Sequence, residues 1–244
     1  MSIRPFVVVA VGMLAEARIA GRDGCVRAVA GGGDCTFLSA AIERAADRNA
    51  IGILSFGIAG GLAPQAKPGD IIIASGIAVD GKLWATDDDW SARLHGALPQ
   101  AKSGFLAGSD TPIATVAAKS ALFAATNAIA VDMESHIAAR IAAGHSLPFA
   151  ALRVVADAAS RELPPAALAG LSPGGAINIV NVLKSLARQP SQLPALLGVS
   201  VDTRTAMKAL LGSFRAVNSA LGAGFGCPRL GCRSFGTRLG SADL

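Results

Sequence analysis

The chain contains no tyrosine and two tryptophans, and aromatic residues make up only 5% of its 244 residues. Charged residues are also sparse at 16%, and no two basic residues are adjacent, so the net charge of +5 is dispersed. Proteins that bind nucleic acid combine clustered lysines and arginines with aromatic residues on which bases stack. The sequence therefore predicts no nucleic-acid partner.

Long hydrophobic runs are missing as well, since none approaches the roughly 20 residues that cross a bilayer. The run Phe6–Val11 follows Arg4 and imitates a weak secretory signal, but its β-branched residues suit a central strand better. We therefore expect a cytoplasmic protein with reduced thiols at its four cysteines: Cys25, Cys35, Cys227 and Cys232. The cysteines have no second Cys or His pair at ligand spacing, so no metal site is predicted.

The composition is that of a compact globular protein, with 52% hydrophobic residues. Apolar runs alternate with alanine-rich helical stretches, a pattern typical of a sheet covered by helices. We predict an α/β fold: a single-domain, three-layer α/β/α structure with a central mixed sheet. The domain would span residues 1–221, with C-terminal helices in 176–221 and a disordered tail in 222–244.

The hydrophobic periodicity predicts the individual elements. Strands are expected at Phe6–Val11, Val26–Ala30, Ile51–Phe56, Ile71–Val79, Phe105–Ala107, Ala128–Val131 and Phe149–Val155. Helices are expected at Thr36–Arg48, Val116–Ala125, Ser135–Ala143, Ala176–Ala187 and 204–221. A turn and polar segment should follow the first strand through Gly24. Residues 80–103 read as an irregular loop that covers or recognises a substrate, with Asp89 as a possible helix cap.

Two carboxylates follow predicted strands directly. Glu134 lies in Val-Asp-Met-Glu-Ser after Val131, and Asp157 ends Arg-Val-Val-Ala-Asp after Val155. A third strand leads into a predicted glycine-rich loop, Gly-Ile-Ala-Gly-Gly-Leu at 57–62. Because ligands of open α/β sheets bind beyond the carboxyl ends of the strands, we expect these segments to form one site.

These motifs resemble those of the purine nucleoside phosphorylase and nucleosidase superfamily. The branch of methylthioadenosine/S-adenosylhomocysteine nucleosidases matches them best, because Gly-Met-Leu-Ala-Glu at 12–16 is similar to its first-strand motif. The segments at 57–62, 131–135 and 153–157 are similar to three further motifs of that branch, in the same order. The resemblance covers residues 6–160 and implies cleavage of the N-glycosidic bond of a purine nucleoside, without a cofactor.

The resemblance also implies a role for each matching residue. Glu134 would bind the ribose hydroxyls, with Met133 packed against the sugar. Asp157 would donate a proton to N7 of the leaving purine, whereas Glu16 would activate the attacking water or lie beside another nucleophile. Base recognition falls to the segment that contains Pro112 and Ile113. We expect burial to raise the pKa of Asp157, and Glu134 to remain ionised.

The water or phosphate site would be formed by Gly12, Gly57 and Ile58. If phosphate is the nucleophile, a cation should lie near Glu16, and Arg18 is the nearest candidate unless it faces solvent. The glycines at 31–33 form either a tight turn or an anion-binding nest of backbone N–H groups.

Ile58 and Ala156 stand where the nucleosidases have serine, which argues against a standard methylthioadenosine nucleosidase. The whole chain, including 185–197, is more similar to the hopanoid-associated phosphorylases. That resemblance implies phosphorolytic release of adenine from adenosylhopane, with inorganic phosphate as co-substrate. Hydrolysis of methylthioadenosine or S-adenosylhomocysteine is the alternative.

Three further expectations concern partners. Relatives complete their sites as dimers, so the resemblance implies a homodimer. A basic amphipathic pattern in 176–221 allows peripheral contact with a membrane, although its apolar stripe is more typical of a core or an oligomer interface. A nucleoside-binding protein without catalytic activity is the alternative of another class.

Overall fold

The structure is a computed structural model, which describes residues 5–22, 24–46, 49–170, 175–176, 178–221 and 225. The strands are β1 (Phe6–Val11), β2 (Val26–Ala30), β3 (Ala50–Gly61), β4 (Ile71–Val79), β5 (Lys82–Ala85), β6 (Lys102–Gly108), β7 (Ala130–Asp132) and β8 (Phe149–Asp157). The helices are α1 (Leu14–Ala20), α2 (Cys35–Ala45), α3 (Asp88–Ala97), α4 (Val116–Thr126), α5 (Ser135–Gly144), α6 (Pro165–Ala169), α7 (Ile179–Arg188) and α8 (Leu193–Leu221). A 3₁₀ turn at Pro190–Gln192 joins α7 to α8.

The eight strands form one mixed sheet, as predicted. β3 pairs in parallel with β1 and β8, and β2 extends the sheet from β1. Beyond the end of β1, the last residues of β3 pair with β7, which is antiparallel to β3. Because β7 pairs with β6, β6 with β4 and β4 with β8, five strands close into a ring. The sequence did not predict this closure, which brings the ends of β3, β7 and β8 together.

Helices cover both faces of the sheet, which confirms the three-layer prediction. On one face, α2 and α5 contribute Leu38, Ile42 and Ile137 to a buried cluster with β1 and β3. The opposite cluster is built by side chains of α1, α3 and α8: Ile19, Trp90, Leu94, Leu210 and Phe214. Burial of large side chains at about 25 cal/mol per Å2 on both faces is the main term that holds the layers together.

Two segments predicted as irregular are ordered. The polar stretch after β1 contains α1, because Glu16 in its first turn accepts hydrogen bonds from the free backbone N–H groups that precede the helix. Residues 80–103 form β5 and α3, and Asp87, not Asp89, caps α3 by accepting from Trp90 N at 2.8 Å. Trp90 is fully buried, so this side chain anchors α3 to the core.

The C-terminal region differs from the prediction in the length of its last helix. α8 spans 29 residues, and its predicted apolar stripe is confirmed at Leu210, Phe214 and Val217, which are buried. The predicted tail lies outside the described residues except for Phe225, which is fully buried against Phe56 and Phe214. Among the described helices, none combines the length and apolar character needed to span a bilayer.

Candidate active site

A cavity of about 160 Å3 lies where the ends of β3, β7 and β8 meet. It contains both strand-end carboxylates, Glu134 and Asp157. Several other predicted site residues line the same cavity: Ile58, Met133, Pro112 and Ile113. The structure therefore brings the residues predicted to bind the sugar and the base and to donate the proton into one space.

Glu16 is buried beside this cavity, where its carboxylate accepts three backbone hydrogen bonds. Oε2 accepts from the N–H groups of Gly12 and Met13, both at 2.8 Å, and Oε1 accepts from Ile58 N at 2.8 Å. Burial raises the pKa of Glu16, whereas Arg153 and the three N–H donors oppose the rise. The result is a carboxylate held rigidly, with a greater affinity for protons than an exposed glutamate.

Gly12 and Gly57 are needed because side chains approach their backbones closely. A Cβ at Gly57 would lie 2.6 Å from Glu16 Oε1 and 2.7 Å from an Nη atom of Arg153. A Cβ at Gly12 would lie 2.7 Å from Glu134 Oε1. The glycine-rich motif at 57–62 is therefore not a loop: its first five residues belong to β3, and the missing side chain at Gly57 makes room for charged groups.

Arg153 joins the acidic residues of the site. Its guanidinium is completely buried on β8 and lies 3.1 Å from Glu134 Oε2 and 3.3 Å from Asp132 Oδ1. It also donates to Ser55 Oγ at 2.6 Å and to the carbonyl oxygen of Ile58 at 3.3 Å. One guanidinium thus links the ends of β3, β7 and β8 and holds the Glu134 side chain in place.

Asp132 prepares the turn on which Glu134 lies. Its Oδ1 accepts from the backbone N–H groups of Glu134 and Ser135 at 2.8 and 2.6 Å, while Oδ2 accepts from Ser135 Oγ at 2.6 Å. Ser135 Oγ in turn accepts from Ser55 Oγ at 2.9 Å. These bonds fix the backbone between β7 and α5, so Glu134 enters the cavity from a rigid support.

The proton affinity of Glu134 is also changed by its surroundings. Burial raises the pKa of Glu134 to about 7, because loss of solvation outweighs the attraction of Arg153 and because Asp132 and Glu16 repel its negative charge. The Glu134 carboxyl therefore binds a proton more readily than an exposed glutamate does. Two donated hydroxyl hydrogen bonds would favour the charged form that we expected.

Asp157 contacts a lysine that the sequence did not indicate. Lys119 Nζ, on α4, is completely buried and contacts Asp157 Oδ2. The ammonium also donates to the carbonyl oxygens of Ala158 and Arg161, at 3.0 and 2.9 Å. Burial raises the pKa of Asp157, as predicted, whereas Lys119 opposes that rise. The pKa of Asp157 therefore depends on the balance between its burial and the positive charge of Lys119.

Replacing Lys119 with Met tests this dependence. Without the cation, the pKa of Asp157 should rise further, so the protonated acid should persist to higher pH. We expect the alkaline limb of the kcat/KM profile for base release to move to higher pH. A limb that stays in place or moves to lower pH would contradict the assignment. Circular dichroism of the variant checks that a change in rate does not reflect unfolding.

The structure does not bring Arg18 to the site. Arg18 is exposed on α1, and helix positions two residues apart point to different faces, so it is directed away from the buried Glu16. The glycines at 31–33 form a turn in which Gly31 N and Gly32 N donate to carbonyl oxygens of Val11 and Gly12. Two of the three N–H groups that could have bound an anion therefore already donate to backbone carbonyl oxygens.

Sequence reasoning missed the roles of Arg153 and Lys119. Arg153 had a signal, since it is a charged residue inside the apolar run of β8. Lys119 had none, because one lysine in an alanine-rich helix normally faces solvent. Lys119 and Asp157 are 38 residues apart in the chain, and only the folded structure shows that they pair.

A larger cavity of about 660 Å3 lies beside the first and is lined mainly by polar residues. Cys35, Asp110 and His136 meet there, each offering one metal-ligand atom within 4.8 Å of the others. His136 Nε2 lies 2.9 Å from Asp110 Oδ1, and Cys35 Sγ donates to the Asp110 carbonyl oxygen at 3.9 Å. These contacts already pair the three groups, and the carboxylates of the smaller cavity remain the better candidates for chemistry.

Comparisons with known proteins point the same way. The family model described as "Phosphorylase superfamily" matches residues 26–169, which include Glu134 and Asp157. Futalosine hydrolase of Helicobacter pylori has a TM-score of 0.58 and 17% identity, covering 86% of this chain and 97% of that chain. S-adenosylhomocysteine nucleosidase from Streptococcus pyogenes, in complex with 5-methylthiotubericidin, has a TM-score of 0.59 and 14% identity, covering 88% and 98%.

The 5'-methylthioadenosine/S-adenosylhomocysteine nucleosidase from S. pneumoniae, with a transition-state inhibitor, has a TM-score of 0.59 and 16% identity, covering 86% of this chain and 98% of that chain. At these identities the solved structures show a common fold. No curated protein matches the sequence.

Proposed function

The chain is an enzyme that belongs to the phosphorylase superfamily, and we propose that it cleaves the N-glycosidic bond of a purine nucleoside. The observation that carries the proposal is the cavity in which Glu134 and Asp157 face one space with different cationic partners, Arg153 and Lys119. The structures with the same fold include nucleosidases that bind adenosine analogues, which supports a purine as the leaving base. Pro112 and Ile113 line the side of the cavity proposed for that base.

Bond cleavage leaves positive charge on the ribose and negative charge on the purine. Asp157, whose pKa burial raises, would donate a proton to N7 and so neutralise the base as it leaves. Glu134 would accept hydrogen bonds from the ribose hydroxyls, and its negative charge would stabilise the developing cation. Met133 would pack against the sugar. This division assigns proton donation and sugar binding to the two carboxylates.

The geometry favours water as the nucleophile. Glu16, Asp132 and Glu134 place three carboxyl groups around the single guanidinium of Arg153 in the part of the chain that the structure describes. Those of the three that are ionised repel a phosphate dianion. The N–H groups of Gly12 and Ile58, which would otherwise bind an anion, donate to Glu16. A buried glutamate with a raised pKa is instead suited to accept a proton from water.

A second candidate is the phosphorolytic release of adenine from adenosylhopane. The resemblance to the hopanoid-associated phosphorylases supports it, as do the two substitutions for serine at Ile58 and Ala156. Apolar side chains also line the cavity, among them Val131 and Leu163, in keeping with a substrate that carries a hydrocarbon group on its 5′ carbon. Phosphate would then have to compete for Arg153, the cation beside Glu16, which already contacts Glu134 and Asp132.

One experiment separates these candidates. Adenine release is measured with adenosylhopane, methylthioadenosine and S-adenosylhomocysteine, each with and without inorganic phosphate. Release without phosphate, unchanged when phosphate is added, is the expected result. Release that requires phosphate would favour the second candidate and overturn the assignment of water. The preferred substrate among the three identifies the 5′ group.

A further inference from the structure

Two helices beyond residues 26–169, the segment matched by the family model, expose rows of apolar side chains. On α7 these are Ile179, Val180 and Leu183, and on α8 they are Leu193, Leu197 and Val201. Each is between 48% and 66% exposed, although exposed large aliphatic residues are costly to leave in water. The spacing of four residues along α8 places its three on one side of the helix. Nothing in the proposed chemistry accounts for this surface.

Basic residues accompany the apolar rows. Residues 176–221 contain five lysines and arginines but a single acid, Asp202, which pairs with Arg161 at 2.6 Å. All five basic side chains are exposed: Lys184, Arg188, Arg204, Lys208 and Arg215. Val180, Lys184 and Arg188 follow one another at intervals of four, so the basic row on α7 lies directly beside the apolar one.

We propose that α7 and the first half of α8 bind the surface of an anionic lipid bilayer. An apolar row bordered by basic residues is the pattern of helices that lie in the membrane interface, with cations near the lipid phosphates and aliphatic side chains among the upper acyl chains. A second copy of this chain is the competing partner. In a two-fold dimer, however, both copies of this surface would bring the same net positive charge to the interface.

The membrane surface would be rigid and close to the candidate active site. Gln192 fixes the junction of the two helices, because its side chain accepts from Ala166 N at 2.7 Å and donates to the carbonyl oxygen of Ser185 at 3.4 Å. Upstream of α7, the carbonyl oxygen of Gly175 accepts from Leu14 N at 3.0 Å, one residue beyond Met13, which donates to Glu16. These bonds connect the proposed membrane surface to the segment that holds Glu16.

Co-sedimentation of the full chain with vesicles tests the proposal without any substrate, so its outcome is independent of the proposed function. The full chain is required because Leu210 and Phe214 of α8 belong to the core. We expect binding to vesicles that contain phosphatidylglycerol and little binding to pure phosphatidylcholine. Replacing Lys184 and Arg188 with Gln should weaken binding roughly 25-fold, or about fivefold for each cation, and added salt should weaken it too.

The apolar contribution is tested by the double variant Ile179→Ser and Leu183→Ser, which should also lose most of the binding. Leu83→Ser is the matched control, since Leu83 on β5 is 57% exposed but lies outside the proposed surface. Absence of binding by the wild type, or equal binding by the double variant and the control, would overturn the proposal. The proposal would also be overturned by two results together: the wild type does not bind vesicles, and sedimentation velocity shows a dimer for the wild type but a monomer for the double variant.

Discussion

Replacing Asp157 with Asn is expected to lower kcat for purine release by about 10²–10⁴-fold, the range supplied by a general acid. Asparagine has nearly the same size, but it cannot donate a proton to N7 of the leaving base. Lys119 also keeps an oxygen acceptor in the variant, so the helix α4 should remain in place. The loss should therefore fall on kcat, with a smaller change in KM, because the sugar is proposed to be bound by Glu134.

The matched control is Asp88→Asn, which makes the same chemical change at an exposed position on α3. Steady-state assays of base release should give nearly wild-type kcat for this control. If Asp157→Asn retained wild-type turnover, Asp157 would not be the proton donor, and the proposed mechanism would be wrong.

The second large effect concerns stability. Replacing Arg153 with Met should reduce the free energy of unfolding by about 3–5 kcal/mol at pH 7, because Glu134, Asp132 and Glu16 would remain buried without their cation. The loss should be smaller near pH 5. Burial raises the pKa of Glu134 and Glu16, so these carboxyls take up protons as the pH falls and the uncompensated charge disappears.

Urea unfolding of wild type and variant at both pH values measures this effect. Lys102→Met is the control: its ion pair with Asp70 is also short, at 2.6 Å, but the lysine side chain is 46% exposed. Removing such a pair should cost at most about 1 kcal/mol. Equal losses for Arg153→Met and Lys102→Met would mean that the buried cation does not hold the site together.

Much of the fold could be predicted because the strands carry a strong local signal. The β-branched runs of β1, β4 and β8 identify buried strands, and the helical spacing of apolar residues identifies α4 and α5. Ring closure could not be predicted in this way. It depends on β3 shifting its register between Ala59 and Gly60 and then pairing with β7, and no local pattern specifies that partner.

The same distinction applies to the candidate site. Glu134 and Asp157 could be found because each directly follows an apolar run, and such ends meet at one edge of a sheet. The contacts that support these two residues could not be found from the sequence. Glu16 accepts from Ile58 N across 42 residues, and Lys119 reaches Asp157 from a helix whose composition gives no hint of burial.

The glycine-rich motif shows why one interpretation failed. Consecutive glycines usually indicate a turn, so the sequence favours a loop at 57–62. In the structure, Gly57 belongs to β3 and lacks a side chain because Glu16 and Arg153 occupy that space. The glycine at position 57 is therefore explained by the close approach of two charged side chains and not by a turn.

The central claim is that this chain breaks the bond between ribose and a purine, and does not merely bind the nucleoside. The most direct test combines binding and turnover of the wild-type protein with a 5′-alkyl adenosine: calorimetry measures binding, and chromatography measures free adenine. We predict that the nucleoside binds and that adenine accumulates over many turnovers. Saturable binding by the folded protein without release of any adenine would contradict the claim and would indicate a nucleoside-binding protein.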